Sequence, residues 1–413
     1  MTHTSWPDLS GKTILQVIPD LSAGGAERTT VEMAEAISRA GGLALVASRG
    51  GRLETELSEA GGKLIRFNAS TKNPFVLRSN MRQLVQFIET YAVDLIHARS
   101  RAPGWSAYWA AESTQIPFVT TYHGAYSGTT GLKRHYNSVM ARGDLVIANS
   151  EWTANHVHQM HGLPKHKIIT IPRGVDHAVF DPASIDPNRL DALRRCWAMG
   201  SDDKRLVFLL PGRLTDWKGQ RTALEALSRM SDAERAQINL ILAGDAQGRQ
   251  TYVRALEETI LANGLGACVR IVGHTVDMPA AYALADIVLA PSTRPEAFGR
   301  VAAEASAMGK PVIVSDHGGQ RETVVEGETG MRAEPGSATA LAACMRTLQQ
   351  LPPQVRHSMG KAGKAYVKRH FNKEMLQSST LNVYSDLLIQ RSSVENLANQ
   401  AHIIKVNFGN NGE

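Results

Sequence analysis

Short apolar runs alternate with helical patterns along most of the chain, and this alternation restricts the fold more than any other feature. Seven runs in the first half have the composition of buried strands: 13–19, 43–48, 63–67, 94–98, 117–123, 145–150 and 167–172. Strands covered by helices on both faces are apolar at nearly every position, and strands that alternate with helices form parallel sheets. The first half therefore predicts a Rossmann-like α/β domain.

A second series of strand-like runs follows, at 205–211, 239–244, 269–273, 287–292 and 311–315. Between the two series, residues 176–204 lose the alternation, which predicts a connection between domains. We therefore expect an α/β protein with two Rossmann-like domains, over residues 1–180 and 200–370, that face a central cleft. Such a cleft is a common place for a ligand. The polar residues 393–413 predict a disordered tail.

The composition is that of an ordinary globular protein and argues against nucleic-acid binding. The 413 residues are 43% hydrophobic and 20% charged, and 45 Lys and Arg against 39 Asp and Glu give a net charge of +6. This mild basic excess suits an anionic ligand or an anionic membrane surface. Nucleic acid is not an expected partner, because the basic residues are scattered and aromatic residues make up only 6% of the chain.

The sequence contains no evident secretion signal and no apolar run long enough to cross a bilayer, so we expect a cytoplasmic protein. Its three cysteines, Cys196, Cys268 and Cys344, are far apart and lack the Cys-x-x-Cys spacing of many metal sites. We expect them to be reduced. We also expect neither a metal site nor a cofactor.

Two carboxylates bracket the start of a small-residue helix in the run Pro-Glu-Ala-Phe-Gly-Arg-Val-Ala-Ala-Glu-Ala at 295–305. Glu296 precedes the helix and Glu304 lies eight positions later, at most about 12 Å away along a helix axis. The helix start offers free N–H groups to a phosphate, and it follows a strand of a parallel sheet, where ligands bind. An elongated ligand, such as a nucleotide joined to a sugar, could reach both carboxylates.

Further candidate residues follow other predicted strands. Arg213 and Lys218, next to flexible glycines, can present two cations to a diphosphate. Gly24 and Gly25 let the backbone approach a phosphate or sugar closely. His123 ends a strand and precedes a glycine. Each group also has an ordinary structural interpretation: solvated side chains, a plain strand-to-helix turn, and a structural histidine.

Five motifs occur together in the chain: AGGAE at 23–27, TYHG at 121–124, IPRGVD at 171–176, PGRLTDWKG at 211–219, and the two glutamates separated by seven residues. In this order they resemble the retaining glycosyltransferases of family 4, which have the glycosyltransferase-B fold. The resemblance covers residues 12–390. It implies that the last helix, about 373–391, crosses back to the first domain, which takes the acceptor.

The resemblance also implies the activity. The donor would be a UDP- or GDP-linked sugar, and the acceptor a glycan or lipid-linked glycan of cell-envelope polysaccharide or lipopolysaccharide synthesis. Transfer would be metal-independent, with the departing phosphate helping to deprotonate the acceptor. The implied catalytic residues are Glu296, His123, Arg213 and Lys218. The implied donor-binding residues are Gly24, Gly25, Arg213, Lys218, His274, Phe298, Gly299, Arg300, Val301 and Glu304.

Two other functions fit the same pattern. A nucleotide-sugar epimerase has the same two-domain architecture, and a non-catalytic sugar-binding protein also closes over a cleft. Residues 131–142 predict an amphipathic helix with Leu132, Tyr136, Val139 and Met140 near one face. Its cations are either simply solvated or hold the protein loosely at an anionic membrane.

Overall fold

The twelve predicted strands are all present, with bounds within two residues of the prediction. The structure is a computed structural model, and it describes residues 6–22, 24–71, 73–124, 126, 130–200 and 202–409. The strands are β1 (Thr13–Val17), β2 (Leu43–Ser48), β3 (Lys63–Arg66), β4 (Leu95–Ala98), β5 (Phe118–Tyr122), β6 (Leu145–Ala148), β7 (Ile168–Thr170), β8 (Leu206–Pro211), β9 (Ile238–Ala243), β10 (Val269–Gly273), β11 (Ile287–Ala290), β12 (Val312–Ser315) and β13 (Gly330–Ala333). The prediction missed β13, because four residues that begin with glycine give little strand signal.

Most helices lie between consecutive strands along the chain, and the last three follow β13. They are α1 (Gly25–Arg39), α2 (Glu54–Glu59), α3 (Pro74–Thr90), α4 (Arg101–Thr114), α5 (Gly131–Ser138), α6 (Glu151–His161), α7 (Pro187–Cys196), α8 (Gln220–Ser228), α9 (Asp232–Arg235), α10 (Gln250–Ala262), α11 (Met278–Leu284), α12 (Arg300–Ala307), α13 (Ala338–Gln350), α14 (Pro353–His370) and α15 (Lys373–Gly409).

The chain forms two units, 1–171 with 374–413 and 172–373. The first unit contains a seven-stranded sheet of order β3-β2-β1-β4-β5-β6-β7, and the second a six-stranded sheet of order β10-β9-β8-β11-β12-β13. All the pairings within both sheets are parallel. The predicted α/β class with two Rossmann-like sheets is therefore confirmed. In each sheet the strand order reverses next to the first strand, between β1 and β4 and between β8 and β11.

The last helix belongs to the first unit. Leu376, Leu381 and Tyr384 of α15 pack in the same core as Ile14 and Ile37. The buried Tyr384 hydroxyl lies 2.7 Å from Nδ1 of His97. The Nε2 atom of His97 lies 2.7 Å from the Thr121 hydroxyl, so a polar chain links the helix to β4 and β5.

The structure differs from the prediction in two segments outside the sheets. The tail expected to be disordered from residue 393 continues α15 as far as Gly409. Neither proline nor glycine interrupts the sequence between Lys373 and that residue, so nothing local ends the helix. Residues 410–413 lie outside the described residues.

The expected connection at 176–204 is instead packed into the second unit. Arg189 of α7 donates two hydrogen bonds, of 2.8 and 2.7 Å, to the carboxylate of Asp277. Trp197 is 2% exposed and packs in the core beside Val207 and Leu209. Phe180 and Ile185 also pack against this core, but prolines and aspartates separate them, so this part of the sequence shows no strand or helix periodicity.

The predicted apolar face of residues 131–142 is only half correct. Val139 and Met140 are fully buried, but Leu132 is 87% exposed. The α-helix α5 ends at Ser138, and the buried pair lies in a 3-10 turn, Val139–Ala141. The change of helical pitch takes the two ends of the segment out of one common face.

Gly219 has a φ of 82°, and a Cβ at this position would overlap the carbonyl oxygen of Pro291. We therefore expect Gly219→Ala to lower the free energy of unfolding by at least about 2 kcal/mol, through backbone strain and overpacking together. Gly336→Ala is the matched control, because Gly336 has a φ of 74° but open space around it. Urea denaturation of both variants measures the difference. An equal loss of the free energy of unfolding in both variants would mean that the close contact with Pro291 adds nothing to the cost of the substitution.

Candidate functional site

The strongest candidate site lies at the carboxyl ends of β8 and β11. These strands are neighbours, and the strand order of the second sheet reverses between them. Ligands of open parallel sheets bind at this switch point, outside the carboxyl ends of the strands. The loop after β8 carries Arg213 and Lys218, and the loop after β11 carries Glu296. Sheet topology thus brings together residues from two distant motifs.

The two loops pack directly on each other. The tight turn at Gly219 lies against the Pro291 carbonyl. The backbone N–H of Thr293 donates a 2.8 Å hydrogen bond to the carbonyl of Trp217. A 3-10 turn, Asp216–Lys218, then directs Lys218 towards the second loop. The ammonium of Lys218 also lies 4.6 Å from the centre of the Trp217 ring.

Lys218 and Glu296 form an ion pair of low exposure. The Lys218 ammonium donates to Oε1 of Glu296 at 2.7 Å, and the two side chains are 13% and 15% exposed. The hydroxyl of the buried Ser292 donates to the same oxygen. Ser292 was not among the predicted residues. Its position four residues before Glu296, at a strand end, was the available signal.

The pKa of Glu296 is lowered from its usual value. Burial is the largest influence and acts in the opposite direction, but Lys218, the Ser292 hydroxyl and the Arg213 charge together outweigh it. Arg213 is exposed. The carboxylate is therefore ionised at neutral pH in a place with little water, where its charge acts strongly on a nearby ligand.

A third loop, after β12, contacts the backbone of Glu296 and of Ser292. The backbone N–H of Gly319 donates to the Glu296 carbonyl at 2.7 Å, and a Cβ on Gly318 would lie only 2.6 Å from that oxygen. Nε2 of His317 lies 2.9 Å from the Ser292 carbonyl. Burial lowers the pKa of His317, although its hydrogen bond to Ser292 and the Glu296 charge oppose this. Prediction missed this loop, whose signal was the run Asp-His-Gly-Gly directly after a strand.

The second predicted carboxylate, Glu304, lies on α12. Its Oε1 accepts a 3.0 Å hydrogen bond from Nε of Arg300, whose Nη2 lies 2.9 Å from the same oxygen in an ion pair. Its Oε2 accepts from the hydroxyl of Tyr282 at 3.1 Å. The helix starts after Gly299, whose φ of 107° suits glycine alone. A Cβ there would lie 2.8 Å from Cα of Gln320. The predicted helix start and its carboxylate are thus present with defined partners.

The remaining predicted residues occupy varied surroundings. His274 is exposed in the loop after β10. The Phe298 ring is buried against the Phe371 ring at 5.2 Å, so only its backbone could meet a ligand. Val301 is partly buried and packs on the core of the second unit.

Gly24, Gly25 and His123 belong to the first unit. Gly24, with a φ of 147°, precedes α1, which begins at Gly25 just after β1. His123 is half-buried directly after β5. Burial lowers the pKa of the neighbouring His97 well below its usual value, and the charges of Arg99 and His123 add to this effect. The roles of all three residues stay predictions.

Comparison with known proteins gives the family. A model of glycosyltransferase family 4 matches residues 23–179, and a model of the group 1 glycosyl transferases matches residues 197–366. A glycosyltransferase of Rickettsia africae ESF-5 has a crystal structure that is 34% identical, with a TM-score of 0.83, over 91% of this chain and 98% of its own. The chain belongs to the group 1 glycosyltransferases of family 4. The resemblance predicted from the motifs is confirmed.

Two other relatives of this glycosyltransferase are informative. The Anabaena protein HepE, whose structure was solved in complex with UDP and glucose, is 26% identical over 91% of this chain and 100% of its own, with a TM-score of 0.79. The D-inositol 3-phosphate glycosyltransferase of Xylanimonas cellulosilytica is 28% identical over 315 residues, which are 72% of this chain and 73% of its own.

The described residues of the glycosyltransferase contain neither a group of metal-ligating side chains nor a helix able to span a membrane. Within those ranges, no three His, Cys, Asp or Glu side chains are grouped so that they could hold a metal ion. A helix that is both long and apolar enough to cross a membrane was not found in the described part of the chain.

We expect Lys218→Met to raise the pKa of Glu296, because burial is then opposed only by Ser292 and Arg213. The pH below which kcat/KM falls should move up by about one unit or more, the usual effect of removing one close opposite charge. A pH profile of donor turnover measures this shift. Lys364→Met is the control, since Lys364 pairs with Asp181 at 2.9 Å elsewhere in the same unit and should leave the profile unchanged. An acid limb that stays in place in Lys218→Met would contradict the assigned ion pair.

Proposed function

We propose that this glycosyltransferase transfers a sugar from a UDP-linked donor to a glycan or lipid-linked acceptor of cell-envelope synthesis. Transfer retains the anomeric configuration and needs no metal ion. The observation that carries the proposal is the cluster of Lys218, Glu296 and Ser292 at the switch point of the second sheet, with Arg213 beside it. Membership in a glycosyltransferase family favours sugar transfer over the epimerase and sugar-binding alternatives.

Arg213 and Lys218 can stabilise the departing diphosphate. Negative charge grows on the diphosphate as its bond to the sugar breaks, and preorganised positive groups stabilise that charge. Arg213 is exposed and so accessible to a ligand, while Lys218 is held in place by Glu296. The free N–H groups at the start of α12 add a partial positive charge. Together these groups do the work that a divalent metal does in other transferases.

Glu296 is placed to bind the donor sugar in this proposal. A fixed carboxylate accepts hydrogen bonds from sugar hydroxyls and stabilises positive charge that develops at the anomeric carbon. Its own backbone is fixed by Gly319, so the carboxylate is preorganised. UDP is the proposed nucleotide because HepE was crystallised with UDP and glucose. In this proposal the first unit takes the acceptor, and it also carries Gly24, Gly25 and His123, which the family resemblance assigns to the donor.

The proposal predicts that UDP raises the melting temperature more than GDP or ADP, since a ligand that binds only the folded state stabilises it. Turnover of a UDP-linked sugar should continue in EDTA, and NMR of the product should show the anomeric configuration of the donor.

Glu296→Gln should lower kcat at least about a hundredfold, as when one preorganised transition-state group is lost.

Persistence of UDP stabilisation in the Glu296→Gln variant is the control for folding. An inverted product, strict dependence on added magnesium or manganese, or near-normal turnover by Glu296→Gln would each remove one element of the proposal. Formation of an epimeric nucleotide sugar without acceptor would replace it with the epimerase function.

The acceptor side of the proposal includes loose contact with an anionic membrane on the cytoplasmic face. Leu132, 87% exposed, precedes the exposed Lys133 and Arg134 on α5. No Asp or Glu occurs between Glu112 and Asp144, so acidic residues of this segment do not offset the cations. An apolar side chain beside cations suits the interface of an anionic bilayer, where each cation contributes about 1 kcal/mol.

We expect the protein to float with anionic liposomes at low salt and to be released at high salt or with neutral lipid. The Lys133→Glu/Arg134→Glu double variant and the Leu132→Ser variant should both bind less. Leu261→Ser is the matched control, because Leu261 is 79% exposed on α10 but follows Glu257 and Glu258. Equal flotation of all these proteins would leave α5 as an ordinary solvated helix.

A further inference from the structure

Arg101 places a guanidinium at the switch point of the first sheet. The strand order of this sheet reverses between β1 and β4, and α4 begins at Arg101, three residues after β4 ends at Ala98. Ligands of open parallel sheets bind at such a point. The candidate donor site occupies the corresponding position in the second sheet, so the first unit has a position of its own for another ligand.

Two contacts hold this guanidinium in place. Its central carbon lies 3.9 Å from the centre of the Tyr126 ring, and that ring packs on the Tyr122 ring with 4.5 Å between their centres. Its Nη1 atom donates a 2.7 Å hydrogen bond to the side-chain oxygen of Asn137. Tyr122 and Asn137 are both fully buried, so the cation is attached to rigid parts of the first unit.

The other edge of the Arg101 guanidinium is available to a ligand. The residue is partly exposed, and its Nε and Nη2 atoms form no hydrogen bond within the described residues. Neither of these two atoms is shut off from solvent. They point their N–H groups in parallel from one edge of the guanidinium, which is the arrangement that binds two oxygens of a phosphate or a carboxylate.

The nearby Arg99 cannot bind a ligand in the same way. It is 2% exposed, and its Nε and Nη2 atoms both donate to Oε1 of the buried Gln16, at 2.9 and 2.6 Å. The edge that is open in Arg101 is therefore already occupied in Arg99. Of these two arginines at the end of β4, Arg101 is the one that offers its donors to a ligand.

Acidic residues of the surrounding sequence do not neutralise Arg101. The nearest ones along the chain are Asp94 and Glu112, and the next is Asp144. Asp94 precedes β4 at the opposite edge of the sheet, where it pairs with Lys12 at 3.1 Å. Glu112 lies about 16 Å away along the axis of α4. In the described part of the chain Arg101 forms no ion pair, so a ligand can supply the negative charge.

We propose that Arg101 binds a phosphate group of the acceptor through the Nε and Nη2 edge of its guanidinium. The inference rests on the proposed function, in which the first unit takes the acceptor. It goes further by giving the acceptor a phosphate and by naming the residue that selects it. Phosphate is favoured over carboxylate because its larger negative charge gains more from the other cations nearby, Arg99 and those of α5.

Calorimetry with inorganic phosphate tests the site, in protein saturated with UDP so that the diphosphate site of the second unit is filled. Wild type should bind phosphate, and acetate more weakly. Arg101→Met should weaken phosphate binding at least about tenfold, as expected when hydrogen bonds to a charged group are lost. Arg101→Lys should recover only part of this loss, because an ammonium keeps the charge but not the edge with two parallel donors.

Arg142→Met is the matched control. Arg142 is exposed, and its guanidinium also lies near an aromatic ring, 5.1 Å from the centre of Trp105, but it has no described hydrogen bond to a buried amide. This variant should keep the phosphate affinity of wild type. In turnover assays, Arg101→Met should raise KM for the acceptor and leave KM for the UDP-linked donor unchanged.

The outcomes distinguish the inference from the proposed function. If UDP does not bind, the proposed function fails and the inference fails with it. If UDP binds but phosphate does not, or if Arg101→Met binds phosphate as well as wild type, the inference is wrong while the donor site stands. An equal loss in Arg142→Met would mean general attraction to a basic surface and would also overturn it.

Two further results would assign Arg101 to a different ligand. Tighter binding of acetate than of phosphate would replace the phosphate by a carboxylate. Reduced flotation of Arg101→Met with anionic liposomes, together with an unchanged affinity for phosphate, would assign the guanidinium to a lipid headgroup. Either result would overturn the proposed phosphate site.

Discussion

The close approach of Gly219 to the Pro291 carbonyl is the constraint on which the candidate site depends. It presses the loop after β8 onto the loop after β11, and the 3-10 turn before it directs Lys218 at Glu296. Only a residue without a Cβ, and able to adopt a positive φ, allows both at once. Backbone packing of the two loops therefore sets the distance between the Lys218 ammonium and the Glu296 carboxylate.

The resulting ion pair is better understood as part of a binding surface than as a source of stability. Taking two charges out of water costs several kcal/mol, and their mutual attraction often does no more than offset that cost. Lys218 and Glu296 are both largely buried, and Ser292 and Arg213 also favour the ionised carboxylate. Four polar groups in one loop cluster make sense if the cluster meets a charged ligand, since fixed charges in a poorly hydrated place act strongly on it.

Sequence alone predicted the two sheets well, because buried parallel strands leave an apolar run that needs no other information. The motifs also identified Lys218 and Glu296 as residues of one site, and the structure brings them within 2.7 Å. Their direct bond could not be predicted, because it depends on the pairing of β8 with β11 and on the turn at Gly219. Two supporting groups were missed for the same reason, because His317 and Tyr282 contact residues that are distant in sequence. Ser292 was missed although it lies only four residues before Glu296.

The errors have physical causes of the same kind. Residues 176–204 were taken for a connection because several apolar residues that pack on the second unit, such as Phe180 and Ile185, are separated by prolines and aspartates rather than spaced periodically. Leu132 was placed on a buried face because the pattern assumed one continuous α-helix, whereas the structure changes to a 3-10 turn at Val139. Local periodicity predicts an element but not the point where its geometry changes.

The membership of α15 in the first unit has a consequence for how the protein is made. The core of that unit combines β1 and α1, near the start of the chain, with Leu376, Leu381 and Tyr384, near its end. A ribosome that synthesises this chain exposes the whole second unit before the helix that completes the first. Domains generally fold as units during synthesis. The second unit can therefore fold first. The first unit is synthesised earlier, but it can complete its core only after α15 has left the ribosome.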